Sequence, residues 1–362
     1  MAITGNKGEW GEIYTLLKLL GDGKVHAGDQ NMNKIKDLFY PIIMILREEN
    51  NNHLNYIREE QDVVIQTPER EELLRIPSSI FLEEAEELLK SITKNNGVFS
   101  VPRIETFMQK IHCNTLKTKS TNKSDIRIIF HDLRTKINSE MGFSIKTQLG
   151  HPSTLLNASK ATNFSYKIEG AFFSEEEIEA INTLNPSKNK VIERVKAIIN
   201  KGGKLVFHRV DNPIFYNNLT LIDSNLPNII ALLLLEQIDS NTSDLKTLIE
   251  KINQKNPMNY PTENGSPFYS YKIKHLLTSV ALGMQPASTW DGTLEANGGY
   301  LVVKKDGEIL CYHFYDRNLF ENYLLTNSYL ERSSTTRHEY ATIIKEKDNS
   351  LIFKLNLQIR LK

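Results

Sequence analysis

Cysteine is nearly missing: Cys113 and Cys311 are the only two in 362 residues. That count excludes a disulfide framework and a cysteine-rich zinc site. Long apolar runs are missing too. The longest, "IIALLLL" at 229–235, falls far short of the ~20 residues that span a bilayer and reads as a buried helix. No basic-then-apolar stretch opens the chain, which begins "MAITGNKGEW". Net charge is absent, since 44 Lys and Arg balance 44 Asp and Glu, so the composition does not advertise a nucleic-acid binder. GxSxG, GxGxxG, a Walker loop and HExxH are all lacking, which removes the common signatures of nucleophile elbows, dinucleotide sites, P-loops and zinc proteases. His131 adjoins Asp132, but no companion histidine–asparagine pattern supports a histidine-based nuclease. What remains is an ordinary globular composition, 40% apolar and 24% charged, expected to be cytoplasmic and not membrane-bound.

Charge is present locally. Lys110, Lys117, Lys119, Lys123, Arg127, Arg134 and Lys136 fall within one stretch that only Asp125 and Asp132 oppose. A local basic patch on a neutral protein can meet phosphates, and an ordinary lysine-rich loop is the equal alternative.

Periodicity predicts an α+β (mixed α/β) fold: a mixed β-sheet flanked by helices, with a helical insertion lobe. Residues 9–20, "EWGEIYTLLKLL", place Trp10, Ile13, Leu16, Leu17 and Leu20 on one helical stripe that Gly21 and Gly23 end. Residues 40–65 read as strand, asparagine turn, strand. A helix capped by Ser79 and a short helix over Arg103–Lys110 follow, then the polar linker "TLKTKSTNKS". "DIRIIFHDL" and "GFSIKTQLG" form a hairpin around "KINSEMG". "HPSTLLNASKATNF" reads as a capped short helix and "FSYKIEGAFF" as a strand. From 174 to 271 the pattern is mainly helical. "GGYLVVKKDGEILCYHFY" is a hairpin, with His313 a sheet or core residue, and the chain ends in a helix and a last hairpin. The expected division is a catalytic core at 1–173, a helical lobe at 174–290 and a C-terminal segment at 291–362 that completes the core and reads DNA.

The hairpin carries the chemistry. Along "GFSIKTQLG", Ser144, Lys146 and Gln148 share one polar face. With its turn near Asn138–Ser139, Asp132 lies opposite a position between 144 and 148, and Asp125 pairs beyond the strand's end, the weaker partner. Carboxylates and backbone oxygens suit a hard cation such as Mg²⁺, and a nearby lysine can orient water and offset phosphate charge. Aspartate, a turn and a strand lysine is the arrangement of PD-(D/E)xK metal-dependent nucleases; a plain ion pair is the alternative. Glu9 and Glu12 add an acidic pair on the first helix.

Three blocks, "GNKGEWGEIYTLLKLLGDGKVHAGD", "GFSIKTQLGHPSTLLNASKATNF" and "SSTTRHEY…FKLNLQIRLK", together resemble the HpaII-type restriction endonucleases. They sit at the beginning, middle and end of the chain. The resemblance implies a Mg²⁺-dependent type II restriction enzyme with a PD-(D/E)xK core, in a family whose name-giving member cuts within CCGG. It implies double-stranded DNA as substrate and a cognate DNA methyltransferase as functional companion. Asp132 then matches the metal-binding aspartate and Lys146 the motif lysine, while Ser144 stands where the pattern has Asp or Glu. A second carboxylate is expected from Glu9 or Glu12, with Glu9 ahead, and the Ile145 carbonyl completes the metal shell. Cutting a duplex needs two scissions, which a homodimer or a monomer nicking twice both supply.

Two segments suit base and phosphate contacts. In "STLLNASKATNF" these are Asn157, Ser159, Lys160 and Asn163. In "ERSSTTRHEY" they are Ser334, Thr335, Thr336, Arg337 and His338, with Arg337 able to pair bidentately with guanine. In "KLNLQIR", Gln358 and Arg360 alternate outward from Leu355, Leu357 and Ile359. The competing readings are a DNA-binding protein with a degenerate nuclease site and a nuclease of low specificity.

Overall fold

The computed structural model describes residues 2–49, 52–117, 124–134, 136–186 and 189–362. The chain begins with α1 (Lys7–Asp22). Asn6 and Glu9 form a reciprocal capping box: the Asn6 side chain accepts from the Gly8 and Glu9 amides, and Glu9 accepts from the Asn6 amide at 2.8 Å. Gly23, at φ 67°, ends the helix in the left-handed region. The predicted stripe is the buried one: Trp10, Ile13, Leu16, Leu17 and Leu20 are each at most 1% exposed.

Next come β1 (Lys24–Gly28), β2 (Lys34–Glu49), β3 (Asn52–Glu59), β4 (Asp62–Gln66) and β5 (Glu72–Pro77), then α2 (Ser78–Lys94) and α3 (Pro102–Lys110), then β6 (Ile126–His131) and β7 (Asn138–Thr147). After a long excursion the chain returns as the hairpin β11 (Gly299–Val303) and β12 (Ile309–His313). These strands make one nine-stranded mixed sheet in the order β1-β12-β11-β7-β6-β2-β3-β4-β5. A further pairing of β1 with β2 closes the first six of them into a barrel-like ring. The long strand β2 makes this possible by pairing β1 through its first half and β6 through its second. α1 and α2 cover the sheet. They approach so closely that a Cβ on Gly21 would lie 2.5 Å from Leu82 Cδ2.

The excursion is a second compact unit. It holds β8 (Thr154–Leu156), β9 (Asn163–Glu169), α4 (Glu175–Thr183), α5 (Lys190–Asn200), β10 (Lys204–Val210), α6 (Pro213–Ile222), α7 (Leu226–Asp239), α8 (Leu245–Lys255) and α9 (Phe268–Leu282). Past β12 and α10 (Arg317–Thr326), it also holds β13 (Ser328–Leu330), α11 (Thr335–His338), β14 (Ile343–Lys345), β15 (Leu351–Asn356) and β16 (Ile359–Leu361). Its strands form the sheets β10-β9-β15-β14 and β13-β16-β8. The mixed α+β class therefore holds.

Several expectations change. The compact units are 1–153 with 294–323, and 154–293 with 324–362, so the expected boundaries at 173 and 291 shift and most of the C-terminal segment leaves the core unit. Ser79 lies inside α2, whose cap position is Pro77 with no side-chain cap bond. Residues 151–164 form β8 and one 3₁₀ turn at Lys160–Thr162 rather than a helix, because Thr154 and Leu156 pair with Arg360 and Ile359 across the sheet. The helical stretch is interrupted by β10, which pairs with β9. Most of the linker at 115–124 lies outside the described residues.

Leu17 is wholly buried in the cluster that seats α1. Leu17→Ala is expected to lower the unfolding free energy by about 2–5 kcal/mol in urea titration.

Candidate active site

Strand register decides which aspartate meets Lys146. β6 buries Ile126, Ile128 and Phe130 on alternate positions, and β7 buries Met141 and Phe143. The pairs Ile126↔Phe143 and Ile128↔Met141 bring these apolar faces together. The turn therefore spans 132–137, not 138–139. Asp132 shapes it: its side chain accepts from the Arg134 amide at 2.7 Å, and its carbonyl accepts from Lys136, which sits at φ 61°. Asn138 pairs with His131, so Asp132 lies beyond the far end of β7, eight residues from Lys146 or roughly 25 Å along the strand. The expected Asp132–Lys146 pairing is thus replaced by Asp125.

Asp125 immediately precedes β6. Its Oδ2 accepts from Ser144 Oγ at 3.0 Å and from the Ile145 amide at 2.7 Å. Ser144 thereby acts as the clasp of a carboxylate from the neighbouring strand, in the slot where a carboxylate of its own was expected. Lys146 stands two residues on. Its ammonium lies over the ring of buried Tyr300, 4.9 Å from the centroid. Tyr300 arrives on β11, which runs parallel to β7 with Tyr300 opposite Ser144 and Val302 opposite Lys146. Burial pushes the lysine below its ordinary value, and the charges of Asp125 and Glu12 resist that fall.

Glu12 comes from α1, whose Gly11 backbone rests on Thr147: a Cβ there would lie 3.5 Å from Thr147 Cβ. Its half-buried carboxyl is pushed up to about 8, first by burial and then by the charge of Asp125. No hydrogen bond or ion pair to a described residue holds it. Glu9, expected ahead of Glu12, is instead the capping-box residue. Its hydrogen bond from the Asn6 amide lowers its carboxyl, and Lys117 pairs with it at 3.2 Å. Gln148 follows the end of β7 and donates to Met32 Sδ at 3.3 Å. The structure thus gathers Glu12, Asp125, Ser144, Ile145, Lys146 and Tyr300. Among the described residues no three Asp, Glu, His or Cys side chains form a metal-sized cluster, so a cation here would rely on two carboxylates and backbone oxygen.

The basic stretch is largely neutralised. Arg127 pairs with Glu48 and Glu140, and Arg134 with Asp316 at 2.9 Å. Lys119 and Lys123 lie outside the described residues.

In the second unit, the two recognition segments meet. Lys160 pairs with Glu339, and Asn163 donates to the His338 carbonyl at 3.0 Å. Ser334 caps α11, whose residues Thr336 and Arg337 are exposed, with Thr335 and His338 half-buried. Asn157 is exposed on the first segment, and Ser159 caps the 3₁₀ turn. Three of the expected contacts are otherwise engaged. Asn163 is 2% exposed and bonded to Asn356, Gln358 is 6% exposed, and Arg360 pairs with Glu331. The outward alternation of "KLNLQIR" fails because the strand breaks at 357–358. There the Leu357 amide donates to Thr162, and Asn356 turns inward onto Ser159, Thr162 and Asn163.

The model of one family, the HpaII restriction endonuclease, matches residues 6–361. The chain belongs to the HpaII restriction endonuclease family. The Type II restriction enzyme HpaII of Haemophilus parainfluenzae is 44% identical over 359 residues, covering 99% of this chain and 98% of its own. No solved structure matches. Membership makes the chain a site-specific type II deoxyribonuclease, and the resemblance read from the three sequence blocks holds across nearly the whole length.

Two outcomes follow from the geometry. The folded chain keeps Glu12 protonated up to about 8, against an ordinary 4.5, so Glu12 lowers stability progressively as pH rises between those values. Glu12→Gln is expected to gain in Tm over the parent above about pH 8, in metal-free buffer, with the gain vanishing near 4.5. For Lys146, the ring face of Tyr300 is the contact that the geometry shows. Tyr300→Leu, which removes the ring, should lose about tenfold in single-turnover cutting rate, whereas Tyr300→Phe, which keeps it, should lose less.

Proposed function

We propose that the chain cuts double-stranded DNA at CCGG-like sites, with Mg²⁺, at a PD-(D/E)xK-type centre made of Asp125, Lys146 and Glu12. The observation that carries this reading is Asp125 clasped by Ser144 Oγ and the Ile145 amide beside a lysine whose pKa is depressed. Asp125 takes the role of the strand aspartate, and Glu12 replaces the carboxylate that Ser144 lacks. The Ile145 carbonyl remains the backbone donor in this assignment.

The donor set suits a hard divalent cation. Burial and the charge of Asp125 raise the cost of ionising Glu12, which the charges of Lys117 and Arg47 offset only in part. When bound, Mg²⁺ supplies charge neutralisation at the phosphate and acidifies water. The chain's own groups do the rest. Lys146, held over Tyr300, is less costly to deprotonate than an exposed lysine, so it can accept a proton from attacking water at Nζ; in its charged form it offsets charge on the phosphate. Asp125 is fixed in orientation by its two donors, so no reorganisation is needed at the moment of reaction.

Arg337 on α11 is assigned to guanine recognition, with Thr336, Asn157 and Lys160 of the same unit as further DNA contacts. Cutting both strands is assigned to a homodimer or to successive nicking. Protection of the cell's own sites falls to a cognate methyltransferase in the cytoplasm. Among the described residues no single helix is long and apolar enough to cross a membrane.

The test is digestion of a DNA of known sequence with end mapping. The parent should give discrete fragments ending at CCGG-like sites with Mg²⁺ and none with EDTA; a smear, or binding without cutting, would refute the reading. Lys146→Ala, Asp125→Asn and Glu12→Gln should each lose about 10²-fold or more in cutting while still binding duplex. Asp132→Asn and Glu9→Gln should stay within about threefold of the parent, in keeping with structural roles outside the centre.

A further inference from the structure

One groove in the first unit stands apart by what lines it. It encloses about 770 Å³ between the N-terminus of α1, residues 96–98 and the segment 147–153 that leaves β7. No aspartate or glutamate lines it. Lys7, Asn96, His151 and Ser153 do, and none of these four side chains hydrogen-bonds or ion-pairs with a described residue.

Another cavity of this unit is lined differently. A second cavity, of about 480 Å³, sets Lys18, Lys24 and Lys34 against Asp22, Asp306 and Glu308, with Lys18–Asp22 at 2.7 Å and Lys34–Glu308 at 3.1 Å. Arg75, Arg103 and Arg127 are likewise paired with carboxylates. The acid-free groove keeps its donors unspent, and its charge is positive or neutral only. An anionic ligand satisfies such a site.

Its position names the anion. Thr147, the residue after Lys146, lines the groove, and the Lys7 stem lies on Gly150, where a Cβ would be 3.4 Å from Lys7 Cβ. From Lys146 to Gly150 is four residues, and the chain bends after Thr147 where β7 ends, so the groove begins beside the lysine. A groove that adjoins the lysine in this way suits the phosphates next to the one being cut on the same strand.

We propose that this groove holds the sugar–phosphate backbone of the strand being cut, beside the scissile phosphate; the inference rests on Asp125, Lys146 and Glu12 being the cutting centre. Lys7 supplies a point charge to a flanking phosphate. His151 donates a ring N–H to the backbone in either protonation state, and Asn96 and Ser153 add neutral donors. These contacts read no bases. They set the register of the strand over Lys146.

The experiment is fluorescence anisotropy of the double variant Lys7→Ala/His151→Ala on cognate and unrelated duplexes, with EDTA present and salt varied. Affinity should fall about tenfold on both duplexes, and the slope of log K against log salt should shrink by about one, the signature of a lost phosphate contact. The single-turnover cutting rate with Mg²⁺ at subsaturating enzyme should fall about tenfold, in step with the lost affinity, because the lost contacts hold the strand over Lys146. Methylphosphonates flanking the cut site should weaken the parent and leave the double variant unmoved. Unchanged affinity and slope would overturn the proposal, as would a loss confined to the cognate duplex or methylphosphonate effects that persist in the variant. A parent chain that binds duplex but never cuts it would instead sink the nuclease reading.

Discussion

The register between β6 and β7 is the constraint on which the site depends. Apolar residues on alternate positions of both strands have to face the same core, and only one alignment does this while keeping the turn over 132–137. That alignment sets Asp125 beside Ser144 and Ile145, which clasp it. It also sends Asp132 to the other end of the hairpin. A slip of the pairing would move every polar group of the centre away from its partner.

Much of this was legible in the chain itself. The α1 stripe, the hairpins and the polar face that carries Lys146 follow from periodicity and from side-chain alternation, whereas the search for a helix glutamate came from the resemblance. The choice between Asp125 and Asp132 did not, because the turn was placed by its polar residues rather than by the apolar faces it had to align. Glu9 was preferred over Glu12 on position alone. The capping box that occupies Glu9, Asn6 three residues before it, was itself readable. Tyr300 carried no local signal at all. Its meeting with Lys146 comes from a parallel strand pair separated by more than 150 residues, and parallel partners leave no turn between them to read.

The second unit shows the same division between local and distant information. Arg337 and Thr336 sit exposed on a short helix. Asn163 and Gln358 looked equally polar in the sequence and are buried. Asn163 and Asn356 instead tie a 3₁₀ turn to a broken strand through a buried hydrogen-bond network, where an amide with a full set of partners gives shape rather than reach.

The place of β11 in the sheet also has a temporal meaning. β11 lies between β7 and β12, and it closes the ring that seats the lysine strand. As the chain leaves the ribosome, Glu12, Asp125 and Lys146 appear early, but Tyr300 and the neighbour that β7 requires emerge only after residues 154–293 of the second unit have been made. A half-synthesised chain therefore carries Glu12, Asp125 and Lys146 without the strand that flanks β7, and the surroundings of Lys146 are completed late in translation.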